Sequence, residues 1–186
     1  MDALNAFEAG LLLALHRLWE NPLGDAIART LDFLGEGGLV FIVLALALLI
    51  HPRTRPYGAL LGLALVLDGL TVNLLLKPLV ARVRPYDFAV LPIIVPPQGD
   101  HAFPSGHTAA AFATAAALWP AGKRAFWPAL IFAVLMGVSR LYLMMHYPTD
   151  VLAGALMGAL CGVAAIWLWK KAQGHDKLKF LRTGKD

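Results

Sequence analysis

Three polar clusters in this chain have the residue types and spacing to handle a phosphate. The first, K-P-L-V-A-R-V-R-P, sets Lys77 and Arg84 seven residues apart. The second is P-S-G-H, Pro104 to His107. The third, S-R-L-Y-L-M-M-H-Y-P-T-D, carries Ser139, Arg140, His146 and Asp150. Two helical turns take about seven residues, so Lys77 and Arg84 face one pocket if their segment is helical. Pro104 suits the first turn of a helix, where a missing N–H costs nothing. Ser105 and Gly106 then offer backbone N–H groups at the positive end of the helix dipole, which is an anion site. Gly106 also admits close approach of a ligand. Lys77, Arg84 and Arg140 add fixed positive charge, the arginines as forked donors. Asp150, four residues after His146, can accept a hydrogen bond from one imidazole nitrogen and leave the other as a nucleophile. His107 is then free to act as a general acid, and positioned charge stabilises the phosphoryl transition state. Two histidines and a carboxylate can also bind zinc. The cations already gathered there argue against a further positive charge, so no metal and no other cofactor is expected.

These clusters must be held by membrane helices. The 186 residues are 59% hydrophobic and 15% charged, far more apolar than a soluble domain. Five stretches approach the roughly 20 apolar residues that cross a bilayer: about 34–51, 57–77, 104–121, 125–143 and 149–169. Residues 2–19 differ, because Leu4, Phe7, Leu11, Leu15, Leu18 and Trp19 recur at helical spacing among charges. This predicts an amphipathic helix lying in the interface, with a sixth span as the alternative. Asn21-Pro22 breaks it, and a short helix over about 23–33 leads into the first span. The expected fold is therefore all-α: a polytopic bundle of five or six transmembrane helices with an interfacial N-terminal helix. It forms one domain, with an amphipathic segment 1–33, a bundle 34–170 and a basic tail 171–186. No cleavable signal peptide is expected.

Basic residues set the orientation. Arg53 and Arg55, Lys123 and Arg124, and the tail with Lys170, Lys171, Lys177, Lys179, Arg182 and Lys185 fall on one side. That side is the expected cytoplasmic one, in a plasma (inner) membrane. Lys77, Arg82, Arg84 and Arg140 lie opposite and need a separate reason, which the phosphate pocket supplies. The net charge of +4 thus points to membrane and lipid phosphate rather than nucleic acid.

Other residues carry two readings each. Asp68 and Asn73 lie inside a span, so they serve function or hydrogen-bond a neighbouring helix. Arg82 adds phosphate affinity or meets lipid head groups. The loop 86–103 has too many prolines for helix or strand. It either dips its apolar stretch into the outer leaflet or packs over the N-terminal helix. Asp100 and His101, close before P-S-G-H, either touch the substrate head group or form an exposed loop pair, the second being the simpler reading. Gly154 and Gly158 form a G-x-x-x-G pair, read as tight packing within one chain. Cys161 reads as a packing residue.

The three clusters together resemble the signature of the type-2 phosphatidic acid phosphatase superfamily: K-x6-R-P, then P-S-G-H, then S-R-x5-H-x3-D. All three parts occur in order, from Lys77 to Asp150. The resemblance implies that His146 is the phosphorylated nucleophile, Asp150 its partner and His107 the proton donor to the leaving group. It implies that Lys77, Arg84, Ser105, Gly106 and Arg140 hold the phosphate, without a metal. The expected activity is hydrolysis of a lipid phosphate at the outer face, with undecaprenyl diphosphate as leading substrate. Phosphatidylglycerophosphate and phosphatidic acid are alternatives, as is phosphate transfer to another lipid. A non-enzymatic lipid carrier would need the cations but not the His–Asp pair with a second histidine.

Overall fold

The computed structural model describes residues 2–173, so the tail residues Lys177, Lys179, Arg182 and Lys185 lie outside the described residues. Among the described residues every regular element is helical: α1 (Asp2–Trp19), α2 (Pro22–Gly35), α3 (Leu39–Ile50), α4 (Arg55–Asp68), α5 (Lys77–Val80), α6 (Pro85–Phe88), α7 (Gly106–Ala117), α8 (Lys123–Tyr142) and α9 (Pro148–Gln173). Four helical stretches are long and apolar enough to cross a membrane: Pro22–Ile50, Arg55–Phe88, Lys123–Tyr142 and Pro148–Ala172. Large apolar side chains such as Leu46, Val66, Leu74, Ile131 and Leu156 point outward, while Arg84 and Arg140 are almost wholly buried. That inversion of the soluble pattern suits a lipid solvent, which tolerates leucine and rejects charge.

α7 is the centre of the bundle, packed by α4, α8 and α9. The expected span over 104–121 is here a twelve-residue helix followed by a tight turn at Trp119–Ala121. Its buried face is alanine and threonine, so neighbouring backbones come close. α9 runs beside it in the same direction: Cβ atoms added at Gly154 and Gly158 would strike the carbonyls of Ser105 and Ala109. The G-x-x-x-G pair therefore joins two helices of one chain.

Three departures from the expected elements shape the site. The first span does not begin at 34. Gly37 and Gly38 take positive φ angles of 58° and 73° and break the run, so α3 starts at Leu39. Only glycine adopts such angles cheaply. The second span does not stay α-helical. It widens into a π-helical stretch at Gly69–Leu76, resumes as α5, and stops where Ala81 turns left-handed at φ 48°. Such stretches often mark functional sites. Lys77 and Arg84 thus do not share a helix face, because Arg84 stands in extended chain ahead of α6.

α1 is the third. It is helical as expected, but Asn5, Glu8, Leu12 and His16 are the buried stripe, while Leu4, Phe7, Leu11 and Leu18 are exposed. The polar residues turn into the protein because charged partners wait there, as described below. α2 follows with Asn21 as its cap, the side chain accepting from the Gly24 amide at 2.9 Å, and Pro22 in the first turn.

Candidate active site

Lys77 and Arg84, from separate elements, meet at one carboxylate. Asp100 accepts from Lys77 Nζ through one oxygen and from Arg84 Nη2 through the other. Its own carbonyl accepts from Arg84 Nε at 2.9 Å. Asp100 is therefore not half of an idle loop pair. Burial opposes its charge, but the two cations prevail and hold the carboxyl down to about 2. His101 stays exposed. The loop is held by Tyr86, whose hydroxyl donates to the Gln98 carbonyl and accepts from its amide. Ile94 and Val95 pack toward Ala28 and Tyr142, so the loop lies over α2 and the end of α8.

His146 sits in the tight turn between α8 and α9, only 1% exposed. Its Nδ1 lies 2.8 Å from the Ala102 carbonyl, which can only accept, so Nδ1 carries the proton. Nε2 is then the free lone pair, and it faces Arg84 Nη1 at 3.4 Å. Burial first, then the charges of Arg84 and Lys77, push the imidazole well below its ordinary value, so it stays neutral. Asp150 is 3.7 Å from Nδ1. The expected carboxylate–imidazole hydrogen bond is replaced by one to a backbone carbonyl. Asp150 instead takes Arg82 Nη1 at 2.6 Å and the Tyr147 amide at 2.9 Å.

His107 opens α7 with Nε2 buried and without a hydrogen-bond partner among the described residues. It stands against Gly35, where a Cβ would overlap the ring, so a side chain on α2 would displace it. Pro104 lies ahead of the helix, and Ser105 is the residue before its first turn. The Ser105 amide is not free for an anion: it donates to the Asp150 carbonyl at 3.0 Å, and the hydroxyl pairs with Thr108 at 2.9 Å. The amides of Gly106 and His107 belong to the first turn, which has no intrahelical acceptor. A Cβ at Gly106 would lie 2.9 Å from Asn73 Oδ1 and 3.7 Å from Lys77 Nζ. Arg140 is buried and turned to Asp32 of α2 at 2.6 Å, with Ser139 Oγ at 3.1 Å from Nη2.

A cavity of about 740 Å3 opens onto Lys77, Asp100, Gly106 and His107, and runs down past Asn73 and Asp68 to Leu65 and Ile42. Its walls include both helix irregularities, the first through Glu36–Gly38 and the second through Gly69 and Asn73. Asp68 and Asn73 therefore face this cavity, and Asp68 Oδ1 is buried with no partner among the described residues. Arg82 meets neither phosphate pocket nor lipid. It is 4% exposed and enclosed by side chains of α1 and α9.

Residues 57–173 match the PAP2 superfamily. The chain belongs to that superfamily and is a multi-pass membrane lipid phosphatase. It is 32% identical over 156 residues to the undecaprenyl-diphosphatase BcrC of Bacillus subtilis, covering 80% of this chain and 77% of that protein. It is 34% identical over 158 residues to the decaprenylphosphoryl-5-phosphoribose phosphatase of Mycobacterium tuberculosis, covering 83% and 86%. The crystal structure of a transmembrane PAP2-type phosphatidylglycerolphosphate phosphatase from Bacillus subtilis superposes with a TM-score of 0.74 at 25% identity, over 92% of this chain and 88% of that one.

Proposed function

We propose that the protein hydrolyses a polyprenyl diphosphate, with undecaprenyl diphosphate the leading substrate, through a phosphohistidine on His146 and without a metal. The observation that carries this reading is the tautomer. Nδ1–H is committed to Ala102, and Nε2 points its lone pair toward Arg84. Substrate phosphate takes the place of the Asp100 carboxylate between Lys77 and Arg84. Nε2 attacks phosphorus as the bond to the leaving oxygen breaks, and His107 gives that oxygen its proton. Asp150, 3.7 Å away, offsets the positive charge that forms on the phosphorylated ring. A water, deprotonated by His107, then attacks phosphorus. The P–N bond breaks, inorganic phosphate leaves, and both histidines return to their starting states. Lys77, Arg84 and the first-turn amides of α7 stabilise the transferring phosphoryl group. Ser105 and Arg140 contribute by holding neighbours, Ser105 through the Asp150 carbonyl and Arg140 through Asp32.

The substrate class follows BcrC, which matches along most of its length. Phosphatidylglycerophosphate is the second reading, favoured by the fold match to the Bacillus phosphatase. The basic residues at the end of the bundle away from His146, Arg53, Lys123, Lys170 and their neighbours, favour a cytoplasmic C-terminus and an extracytoplasmic active site. Phosphate release by the detergent-purified protein, with EDTA present and undecaprenyl diphosphate, phosphatidylglycerophosphate and phosphatidic acid offered in parallel, tests the substrate class and the metal-free route. Fastest release from the diphosphate in EDTA is expected. Loss of activity in EDTA that zinc or magnesium restores would overturn the metal-free route.

A further inference from the structure

Arg82 belongs to no part of the phosphate cradle, yet every one of its donors is engaged inside the protein. Nε and Nη2 donate to Asn5 Oδ1 at 2.9 and 2.8 Å. Nη2 also meets Glu8 Oε2 at 2.6 Å. Nη1 donates to Thr149 Oγ1 at 2.7 Å and to Asp150 Oδ1 at 2.6 Å. The guanidinium carbon lies 4.0 Å from the centre of the Tyr147 ring, a stacking geometry suited to a planar cation. Its backbone carbonyl accepts from the Ala102 amide at 2.9 Å, and Ala102 is the residue whose own carbonyl holds His146. Arg82 therefore touches both groups that adjoin Nδ1 of the nucleophile.

Glu8 does a second job from α1. Its Oε1 accepts the Thr149 amide and its Oε2 the Thr149 hydroxyl, each at 2.9 Å. A carboxylate there caps the first turn of α9 and meets the positive end of that helix dipole, one residue before Asp150. Asn5, Glu8, Arg82 and Asp150 are all buried, and an arginine left there without partners would be strongly unfavourable. The cluster needs α1 in place. This also accounts for α1 presenting its polar stripe inward.

We infer that Arg82 is a positioning residue for the phosphohistidine reaction, acting through Asp150 and Ala102, and that Asn5 and Glu8 make α1 part of the catalytic apparatus. The inference rests on the proposed function. A misplaced nucleophile slows chemistry without emptying the phosphate site, since Lys77 and Arg84 remain.

The test uses the full-length, detergent-purified chain with Arg82→Gln, Arg82→Lys, Glu8→Gln and the double variant Arg82→Gln/Glu8→Gln. On undecaprenyl diphosphate, Arg82→Gln is expected to lower kcat about 100-fold, with KM and inhibition by inorganic phosphate nearly unchanged. Arg82→Lys should recover part of kcat, and the double variant should lose less than the two single losses combined. Wild-type kcat in Arg82→Gln, or a KM and phosphate inhibition that weaken in step with kcat, would overturn the inference, the latter making Arg82 a phosphate ligand. A double-mutant cycle on thermal unfolding reads the Arg82–Glu8 coupling without using activity, and additive losses there would overturn the network. An unaltered protein that releases no phosphate sinks the proposed function, and the unfolding cycle then decides on the network alone.

Discussion

On the Nδ1 side of His146, Arg82 meets Glu8 and Asp150, whose side chains are 4% and 0% exposed; on the Nε2 side, Lys77 and Arg84 meet Asp100, whose side chain is 49% exposed. The first set places two carboxylates on one cation and satisfies every donor of the arginine. It has no vacancy for another ion, and its partners come from helices. The second set places two cations on one carboxylate that rides on a loop. It keeps an excess of positive charge and holds a counter-ion that can be exchanged. Buried pairs resist separation because each partner would be left desolvated, whereas a half-exposed carboxylate can return to water. Under the proposed mechanism, one arrangement of opposite charges holds the nucleophile still, and the other receives the phosphate.

Both sets converge on His146, so its replacement removes the distinction altogether. His146→Asn is expected to lower turnover by about three orders of magnitude or more and to abolish acid-labile labelling of the protein by phosphate. Retained turnover would return the protein to the metal-dependent reading. Next comes the receiving side. Arg84→Ala should cut kcat/KM by about 100-fold or more and weaken inhibition by inorganic phosphate, in contrast to Arg82→Gln. Similar phosphate inhibition in the two variants would erase the contrast between the two sets.

Asp100→Asn sharpens the comparison in the opposite direction. Removing the competing charge should tighten inhibition by inorganic phosphate by about fivefold, the order expected for a half-exposed pair. Unchanged or weaker inhibition would mean that Asp100 does not stand where phosphate binds. The smallest effect is a displacement along the pH axis. The nucleophile must be neutral, and burial with the charges of Arg84 and Lys77 lowers its pKa. The acid limb of the kcat/KM profile should therefore fall below pH 6.5. An acid limb at or above 6.5 would contradict the buried, cation-flanked setting of His146.

Much of the site is legible in the sequence. Lys77, Arg84, His107, His146 and Asp150 stand out because ionisable residues are costly beside apolar spans and must have partners or work. The structure brings them to one end of the bundle, with Lys77 and His107 lining the cavity and Arg84 beside His146 behind them. Helix existence was equally plain for α8 and α9, whose apolar runs leave no alternative. Glu8 escapes the sequence reading, while Asp100 and Arg82 stand out in it without their partners. Asp100 sits in a loop that carries no periodicity, and nothing local says that it folds back onto Lys77 and Arg84. Glu8 had one usable signal: with Asn5 and His16 it forms a polar stripe at helical spacing in an otherwise apolar helix, which asks for a polar neighbour.

By itself, then, the sequence determined the membrane helices, the family signature and the set of charges that must meet, because hydrophobic runs and ionic residues carry their free-energy consequences with them wherever the chain goes. Which charge meets which was decided only by tertiary structure. Lys77 and Arg84 converge across a left-handed turn rather than along a helix. Asp150 binds Arg82 while the Ala102 carbonyl takes His146. α1 turns its polar stripe inward onto Arg82. Each of these pairings joins residues from separate elements, and a hydrogen bond forms only within about 3 Å. Distances of that kind are set by how helices pack and where loops return, not by spacing along the chain.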